Sequence, residues 1–255
     1  MPRMRRIERP LTAGAVRMHG APPTHLTLDR LSAAGLPHAT TTRHCPETPG
    51  GDPPFGVEAR TALGTGVAAV AFARQVHGAH VVRATTGGAL GEADAIVTTA
   101  PAQPIAVVSA DCLPIVLYDP EAAALAVAHV GWRGTVKHTP RAAVAALARL
   151  GAAPARMLAA IGPAIGPCCY EVDRVVIDPL GAAFPSIDAW ITAKGSGKWM
   201  LDLWAVNEWA LADAGLDRAN VLNARLCTAC RTDLFYSYRK GHRGRLITLA
   251  MLPRR

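Results

Sequence analysis

Three short apolar segments lie within residues 105–134, which read IAVVSADCLPIVLYDPEAAALAVAHVGWRG. The segments cover residues 105–109, 115–118 and 124–130, and several of their side chains are β-branched. Apolar segments of this length, bounded by turn residues, are typical of buried strands. We therefore predict three buried strands in this stretch.

The chain on either side of this stretch continues the pattern. Further strands are predicted at residues 67–75, 79–84, 95–98, 221–227 and 246–251. A helix is predicted over residues 139–150, with Pro140 in its first turn and Gly151 after its end. A second helix is predicted over residues 201–214. Because strands outnumber helices and do not alternate with them regularly, the sequence predicts an α+β fold with mixed sheets.

The composition indicates one globular unit. Half of the 255 residues are hydrophobic and 18% are charged, which excludes a disordered polymer and a collagen-like repeat. No linker or repeat interrupts residues 60–255. We predict a single catalytic domain over residues 24–255, preceded by a flexible N-terminal segment, residues 1–23, that is rich in proline, glycine, threonine and charge.

The net charge of +8 comes from the two ends of the chain. Residues 1–17 carry +4 and residues 239–255 carry +6, so the residues between them carry −2. Only the two ends of the chain carry the positive charge that a nucleic-acid-binding surface would need. We therefore do not expect a nucleic-acid partner.

Neither end has the pattern of a targeting or membrane segment. Residues 11–16 are too short and too polar for the core of a signal peptide, and no stretch approaches the roughly 20 apolar residues of a membrane span. We expect a cytoplasmic protein with no membrane partner. In a reducing compartment its six cysteines are expected to be free, metal-bound or catalytic, and not paired in disulfides.

Three stretches place a reactive side chain beside an apolar segment and a turn. They contribute His77, Cys112 and His129. Two imidazoles and one thiolate match the ligands of zinc, and three protein ligands leave the fourth position open, as in catalytic sites. The spacing of the three residues is no local motif, so buried structural histidines and a buried structural cysteine are the alternative.

The other cysteines carry no assigned chemistry. Cys227 and Cys230 form a CxxC pair, which fits a redox pair or half of a four-cysteine zinc site. The sequence shows no second half, because Cys168 and Cys169 are adjacent and awkwardly placed to bind one ion together. We expect structural or incidental roles for these four, and the local sequence of Cys45 gives no signal for a role.

Two arginines are candidate anion contacts. Arg133 lies in the turn 131–134, Gly-Trp-Arg-Gly, ahead of a predicted helix, where backbone amides and a guanidinium would favour phosphate. The alternative is a plain connection from strand to helix with Trp132 packed on the core. Arg43 follows three threonines and faces either a cleft or solvent.

The motifs, in this order, resemble one family, described as the multicopper polyphenol oxidase (laccase-type) domain and also as zinc-dependent purine nucleoside phosphorylases. The matching segments are 75–78 (QVHG), 93–95 (ADA), 110–114 (ADCLP), 129–134 (HVGWRG), 162–167 (GPAIGP), 201–203 (LDL), 227–228 (CT), 235–240 (FYSYRK) and 244–245 (GR). They span residues 75–245, and their fixed order is far more specific than any single match.

The resemblance implies mixed β-sheets sandwiched between helices, in α/β/β/α layers, and a zinc site of His77, Cys112 and His129. It implies phosphorolysis of adenosine, inosine and methylthioadenosine, with accompanying adenosine deaminase activity. The expected partners are therefore a purine nucleoside and phosphate. A substrate or phosphate contact carries over to Arg43, and we assign phosphate to Arg43 or Arg133.

Other residues of the matching segments receive supporting roles. Asp94 and Asp111 either orient a ligating imidazole or cap turns. Arg239, Lys240 and Arg245 lie in or next to the last two segments, where their charges would help to hold a phosphate-bearing substrate.

Three alternative functions stay open. Copper with polyphenol oxidation is implied by one description of the family, although a multicopper site needs more imidazoles than the scattered remaining histidines offer. A hydrolase that edits peptidoglycan precursors is implied by bacterial relatives in the family. A nucleic-acid-binding protein that uses the basic ends is the non-enzyme alternative. The preferred purine, the metal loaded in the cell and the oligomeric state do not follow from the sequence.

Overall fold

A computed structural model describes residues 16–46 and 69–254 of the protein. Within these residues the strands are β1 (Val16–Gly20), β2 (Pro23–Leu28), β3 (His38–Thr41), β4 (Ala71–Arg74), β5 (Val81–Arg83), β6 (Gly88–Glu92), β7 (Ala95–Thr98), β8 (Ile105–Ser109), β9 (Leu113–Asp119), β10 (Ala124–Val130), β11 (Leu158–Ile161), β12 (Glu171–Asp173), β13 (Ile191–Gly195), β14 (Lys198–Leu201), β15 (Val221–Asn223) and β16 (Leu246–Ala250). The α-helices are α1 (Asp29–Ala33), α2 (Trp132–Val136), α3 (Thr139–Ala148), α4 (Arg174–Ala183) and α5 (Leu203–Asp213). Short 3-10 helices lie at Pro154–Arg156, Asp188–Trp190, Arg218–Asn220 and Tyr238–Lys240.

The strands of the described ranges form three sheets. A seven-stranded sheet has the order β1-β2-β3-β16-β8-β4-β6, a six-stranded sheet has the order β15-β11-β9-β10-β7-β5, and a small sheet has the order β12-β14-β13. Most neighbouring strands are antiparallel, but β4 runs parallel to β6 and β8, β5 to β7, and β11 to β15. Both large sheets are therefore mixed, as predicted.

The central strands are buried on both faces, which is why they are continuous apolar runs in the sequence. In β9, Leu113, Ile115 and Leu117 pack in one apolar cluster, whereas Val116 and Tyr118 pack in another. The first cluster includes side chains of α3, α4 and α5, and the second joins the six-stranded sheet to β8 of the seven-stranded sheet. The two large sheets thus stack face to face, and three helices cover the outer face of the six-stranded sheet.

Local chemistry sets the ends of the helices. Pro140 lies in the first turn of α3, where its missing N–H removes no helical hydrogen bond. The carboxylate of Asp202 caps α5 by accepting a hydrogen bond from the Ala205 N–H at 3.0 Å. Helix α4 is not predicted from the sequence, because Pro179 lies inside it and proline disfavours a helix interior.

The predicted α+β class with mixed sheets is confirmed. Both predicted helices are present, and each predicted strand segment contains a strand with bounds that differ by a few residues. The largest differences are at 67–75, where β4 begins at Ala71 and residues 67–68 lie outside the described residues, and at 221–227, where β15 ends at Asn223. Of the predicted segment 1–23, residues 1–15 lie outside the described residues, and the remainder includes β1. No helix among the described residues is both long enough and apolar enough to cross a membrane.

Candidate functional site

Sheet register brings the three predicted metal-binding side chains together. The antiparallel pairing of β9 with β10 sets Leu113 opposite Val130, so Cys112, just before β9, lies beside the end of β10 that carries His129. Strand β5 runs parallel to β7, and the turn before β5 carries His77. Residues that are 35 and 17 positions apart in the chain therefore meet at neighbouring strand ends.

His77, Cys112 and His129 form what we call the three-donor cluster. Their donor atoms all lie within 4.8 Å of one another, and the two imidazole rings meet edge to face with centroids 4.9 Å apart. His129 is buried, whereas His77 and Cys112 are half-buried, so the cluster is partly open to solvent. Two imidazoles and a thiol at this spacing fit one zinc ion with three protein ligands and one open position.

A single buried carboxylate organises this cluster. Asp94 immediately precedes β7, and its Oδ1 accepts a hydrogen bond from His129 Nδ1 at 2.9 Å. The same carboxylate accepts the backbone N–H groups of Val76, His77 and Gly78 at 3.1, 3.0 and 2.6 Å. Because a carboxylate only accepts, Nδ1 of His129 carries the proton and Nε2 is left for a metal ion.

The turn that carries His77 is held from several sides. Lys137 donates from Nζ to the His77 carbonyl at 3.1 Å, and Thr139 donates from Oγ1 to the Gly78 carbonyl at 2.6 Å. The side-chain amide of Gln75 exchanges two hydrogen bonds of 2.7 Å with the backbone of Val108 in β8. His77 itself has a φ of +56°, a strained conformation that persists only where the surroundings enforce it.

Without a metal, the cluster favours a thiolate beside an imidazolium. Burial raises the pKa of the Cys112 thiol, but the side chains of His129 and His77 outweigh burial and bring that pKa down to about 6. Burial lowers the pKa of His129, but Asp94 and Cys112 raise it to about 9. Burial also opposes ionisation of Asp94, whose pKa is nonetheless lowered by His129 and by the Gly78 amide. The thiolate of Cys112 is the form that binds a metal ion.

Gly131 has no side chain, and this leaves room for the side chains of the three-donor cluster. A Cβ atom at this position would lie 2.8 Å from Cys112 Sγ and 3.3 Å from His77 Cδ2. The first distance is shorter than carbon and sulfur atoms tolerate and the second is tight, so a side chain at 131 would push against the Cys112 sulfur. The glycine of the segment 129–134 therefore has a steric role at the cluster.

Asp94 and Asp111, which the sequence treats alike, have different partners. The Asp111 carboxylate accepts hydrogen bonds from Thr228 Oγ1 at 2.6 Å, Ser237 Oγ at 3.1 Å and the Arg239 backbone N–H at 2.7 Å. Asp111 also has a φ of +86°. Asp111, which precedes Cys112, therefore anchors the loop between β15 and β16, whereas Asp94 positions the imidazole of His129.

Two arginines and the Cys112 thiolate act electrostatically on Tyr170. Burial raises the pKa of Tyr170, and the neighbouring Cys112 thiolate raises it further, whereas Arg239 and Arg133 lower it. The guanidinium of Arg239 lies over the Tyr170 ring, with Cζ 5.3 Å from the ring centroid, and that of Arg133 lies 4.4 Å over the ring of Trp132. Tyr170 was not predicted as a site residue, because nothing in its local sequence connects it with Cys112.

Arg43 has contacts that differ from those of Arg133 and Arg239. Its guanidinium donates to the Thr232 carbonyl and lies over the Tyr236 ring, 5.3 Å from the centroid. Both partners belong to the loop whose Ser237 is held by Asp111. The structure thus connects Arg43 with the cluster through this loop.

The expectation that Cys227 and Cys230 lack a second pair is wrong. The sulfur atoms of Cys168, Cys169, Cys227 and Cys230 lie within 4.8 Å of one another, and we call them the four-cysteine cluster. Sequence spacing did not reveal it because the two pairs follow different strands, β11 and β15, which are neighbours in the six-stranded sheet. Cys45 is buried elsewhere.

The fold and the three-donor cluster together define an α+β protein with mixed sheets and a His/Cys/His group that can hold a metal ion. A family model described as multi-copper polyphenol oxidoreductase laccase matches residues 57–253. The chain belongs to this family, as its motifs predict.

Curated relatives of the chain carry enzyme names. It is 38% identical over 248 residues to a purine nucleoside phosphorylase of Deinococcus radiodurans, with 90% of this chain and 94% of that protein covered. It is 39% identical over 153 residues to adenosine deaminase RL5 of an unknown prokaryotic organism, with 60% of this chain and 58% of that protein covered. These names support an enzyme related to purine nucleoside phosphorylases.

Solved structures share the fold along nearly the whole chain. The crystal structure of YlmD from Geobacillus stearothermophilus aligns with a TM-score of 0.83 at 28% identity and covers 93% of this chain and 99% of that one. The hypothetical protein YfiH of Bacillus licheniformis aligns with a TM-score of 0.81 at 28% identity and covers 94% of this chain and 100% of that one.

Proposed function

We propose that this protein cleaves purine nucleosides with phosphate, with adenosine, inosine and methylthioadenosine as substrates, and that it also deaminates adenosine. One observation carries the proposal: His77, Cys112 and His129 meet within 4.8 Å in a chain that is 38% identical over 248 residues to a purine nucleoside phosphorylase. The three-donor cluster is the proposed site, with zinc as the metal.

The proposed reactions balance without a redox step. In phosphorolysis, a phosphate oxygen attacks C1′ of the ribose, the bond from C1′ to the purine nitrogen breaks, and the purine leaves with a proton. The products are a free purine and ribose 1-phosphate, or 5-methylthioribose 1-phosphate when the substrate is methylthioadenosine. In deamination, water adds to C6 of adenosine and ammonia leaves, which gives inosine. Both reactions need stabilisation of negative charge as it develops, and both need an oriented polar group near the purine.

The donor set suits a Lewis-acidic ion. When bound, zinc supplies positive charge and an open coordination position at which a substrate atom or water is polarised. The chain's own residues prepare this position. Asp94 fixes the tautomer of His129 and the backbone of the turn that carries His77, so the His129 imidazole and the His77 backbone are held in place before substrate arrives.

Phosphate and the nucleoside are assigned to the cationic side chains. Arg239 lies over the Tyr170 ring, and both Arg239 and Arg133 lower the pKa of Tyr170, which Cys112 raises; two guanidinium groups in this region suit a phosphate dianion. Arg43, held against Tyr236, is the second candidate for a substrate contact. In this proposal Asp111 positions Arg239 by accepting its backbone N–H.

Zinc is favoured over copper oxidation chemistry by the composition of the cluster. Within the described residues, the groups of three or more metal-binding side chains are the three-donor cluster and the four-cysteine cluster. Neither has the many imidazoles that a multicopper centre requires. A copper content above one ion per chain in the purified protein, with oxidation of phenols, would overturn this assignment.

The test combines product analysis with one variant and a control. Wild-type protein, Cys112→Ala and Cys45→Ala are incubated with adenosine, with and without phosphate, and the products are separated by chromatography. We expect adenine and ribose 1-phosphate only with phosphate, inosine in both conditions, and none of these products from Cys112→Ala. Cys45 lies outside the cluster, so its variant should behave like wild type. Equal turnover by Cys112→Ala would refute the proposed site.

A further inference from the structure

The four-cysteine cluster joins two loops that the proposed reaction does not use. Cys168 and Cys169 follow β11, and Cys227 and Cys230 follow β15. Cys168 and Cys230 are exposed, Cys169 is half-buried and Cys227 is buried. The cluster therefore lies at the protein surface between the two loops. Its four sulfur atoms lie within 4.8 Å of one another.

The distances within the cluster fit one ion and not a disulfide. Cys230 Sγ lies 3.3 Å from Cys168 Sγ and 3.4 Å from Cys169 Sγ. A disulfide needs about 2.0 Å between sulfur atoms. Four thiolates around a zinc ion at about 2.3 Å each are about 3.8 Å apart, which lies within the observed range. The thiols are also too close together to enclose the iron and sulfide atoms of a cluster.

The backbone of both loops is shaped so that all four thiols converge. The N–H groups of Cys169 and Tyr170 both donate to the Gly166 carbonyl at 3.0 Å, which makes a tight turn. This turn lets the adjacent Cys168 and Cys169 both reach Cys230, although adjacency argued against a shared ion. The Gly166 N–H donates to Cys227 Sγ at 3.2 Å, a contact typical of a metal-bound thiolate.

We propose that Cys168, Cys169, Cys227 and Cys230 bind one zinc ion in a closed, four-thiolate site that is structural and not catalytic. Binding displaces the thiol protons to solvent, and no oxidant or reductant is required. A closed tetrahedral site has no open position for substrate. Its ligands come in two pairs from two loops, which is the arrangement of structural zinc sites.

The site would brace the loops that support the three-donor cluster. Thr228, between the two cysteines of the CxxC pair, donates to Asp111, next to Cys112. On the other loop, the Ile165 N–H donates to the Asp111 carbonyl at 2.9 Å, and the Cys169 carbonyl accepts a hydrogen bond from Arg239. A zinc ion that ties the loops together therefore restrains Asp111 from both sides.

Metal content of the purified full-length protein tests the proposal. Wild-type protein and the variants Cys168→Ser/Cys230→Ser, Cys112→Ala and Cys45→Ala are gel-filtered in metal-free reducing buffer and analysed for zinc per chain. The double variant replaces the two exposed cysteines of the cluster, which minimises lost packing. We expect it to hold about one zinc ion fewer than wild type, and Cys45→Ala to match wild type. Equal zinc in wild type and the double variant would overturn the proposal.

The same measurement separates this site from the proposed catalytic one. If the three-donor cluster binds no metal, Cys112→Ala will match wild type while the double variant still loses an ion, and the four-cysteine site stands. If only Cys112→Ala loses an ion, the four-cysteine site falls.

A second measurement uses a single variant, Cys112→Ala. After chelation and reconstitution with Co²⁺, this variant should show the near-ultraviolet charge-transfer band and the visible bands of a tetrahedral cobalt thiolate. Absence of these bands would overturn the proposal. So would a disulfide between two of these four cysteines, located by peptide mapping of protein purified without reductant.

Discussion

The two sulfur-containing clusters of this protein differ in what holds them. The three-donor cluster has two imidazoles and one thiol at the ends of sheet strands, and the buried carboxylate of Asp94 fixes both histidine segments. The four-cysteine cluster lies on two loops, and the backbone N–H groups of Gly166 and Cys230 donate to Cys227. The first has three donors positioned by a side-chain carboxylate, and the second has four donors positioned by the backbone of two loops.

This difference follows from the number of protein ligands that each cluster offers to a metal ion. A three-donor site keeps a position open, so its geometry must be imposed by the protein. A four-donor site can be completed by the ion itself, so it can hold loops together without a rigid scaffold. We therefore expect damage to the first cluster to abolish activity, and damage to the second to lower stability first.

Removal of the Cys112 thiolate should have the largest effect. In Cys112→Ala we expect loss of one bound zinc ion and a fall in phosphorolysis of at least about 10³-fold, because both the charge and the geometry of the open site are lost. Rates are measured by chromatography of adenine and ribose 1-phosphate. If the variant retained more than a tenth of the wild-type rate, the metal site would not be the site of the reaction.

The support of the three-donor cluster is tested by Asp94→Asn. Its carboxylate accepts four hydrogen bonds, and an amide would present an N–H where at least one donor now points. We expect the zinc affinity of the three-donor site to fall about 10–100-fold, measured by competition with a chelator. An affinity equal to that of wild type would show that Asp94 does not position the ligand His129.

The space at the three-donor cluster is tested by Gly131→Ala. The new Cβ would lie 2.8 Å from Cys112 Sγ, so we expect a loss of about 1–3 kcal/mol in the free energy of unfolding and weaker zinc binding. The matched control is Gly181→Ala in the exposed part of α4, where a Cβ is 3.7 Å from its nearest neighbour. This control should be neutral or more stable by up to about 1 kcal/mol. Equal effects of the two variants would contradict the steric role of Gly131.

The smallest expected effect is a pH dependence of thiol reactivity in chelator-treated protein. Alkylation requires the thiolate, and the pKa of Cys112 is lowered to about 6, so its rate should rise as pH increases through 6 and level off above 7. Between pH 5.5 and 6.5 we expect a rise of about threefold. Burial and Cys230 raise the pKa of Cys169, so that thiol should react slowly over the same range. Peptide mapping after alkylation distinguishes them, and a Cys112 midpoint above 8 would contradict the cluster's electrostatics.

The sequence predicts the three-donor cluster better than the four-cysteine one for a physical reason. His77, Cys112 and His129 each follow or end an apolar strand segment, and buried strands are readable from composition and length. Their convergence then follows from strand register. Cys168 and Cys227 lie in loops, and the relative position of two loops depends on sheet order, which no local pattern contains.

The same limit applies to the supporting residues. Asp94 and Asp111 both precede a site strand by one or two positions, yet only tertiary contacts show that one holds His129 and the other holds the loop of Thr228. Helix α4 was not predicted because Pro179 lies inside it. Tyr170 was not predicted as a site residue because its role depends on the position of Arg239. Local propensity and periodicity predict elements, whereas these contacts depend on packing.

The central claim is that the two clusters have separate tasks, and one measurement tests it most directly. Ribose 1-phosphate formation is measured at one temperature below the unfolding transition of every protein compared, for wild type, Cys112→Ala and Cys168→Ser/Cys230→Ser. Our account predicts loss of activity in Cys112→Ala, and retention of most activity in the double variant together with a lower melting temperature. Full activity in Cys112→Ala with loss of activity in a folded double variant would contradict it.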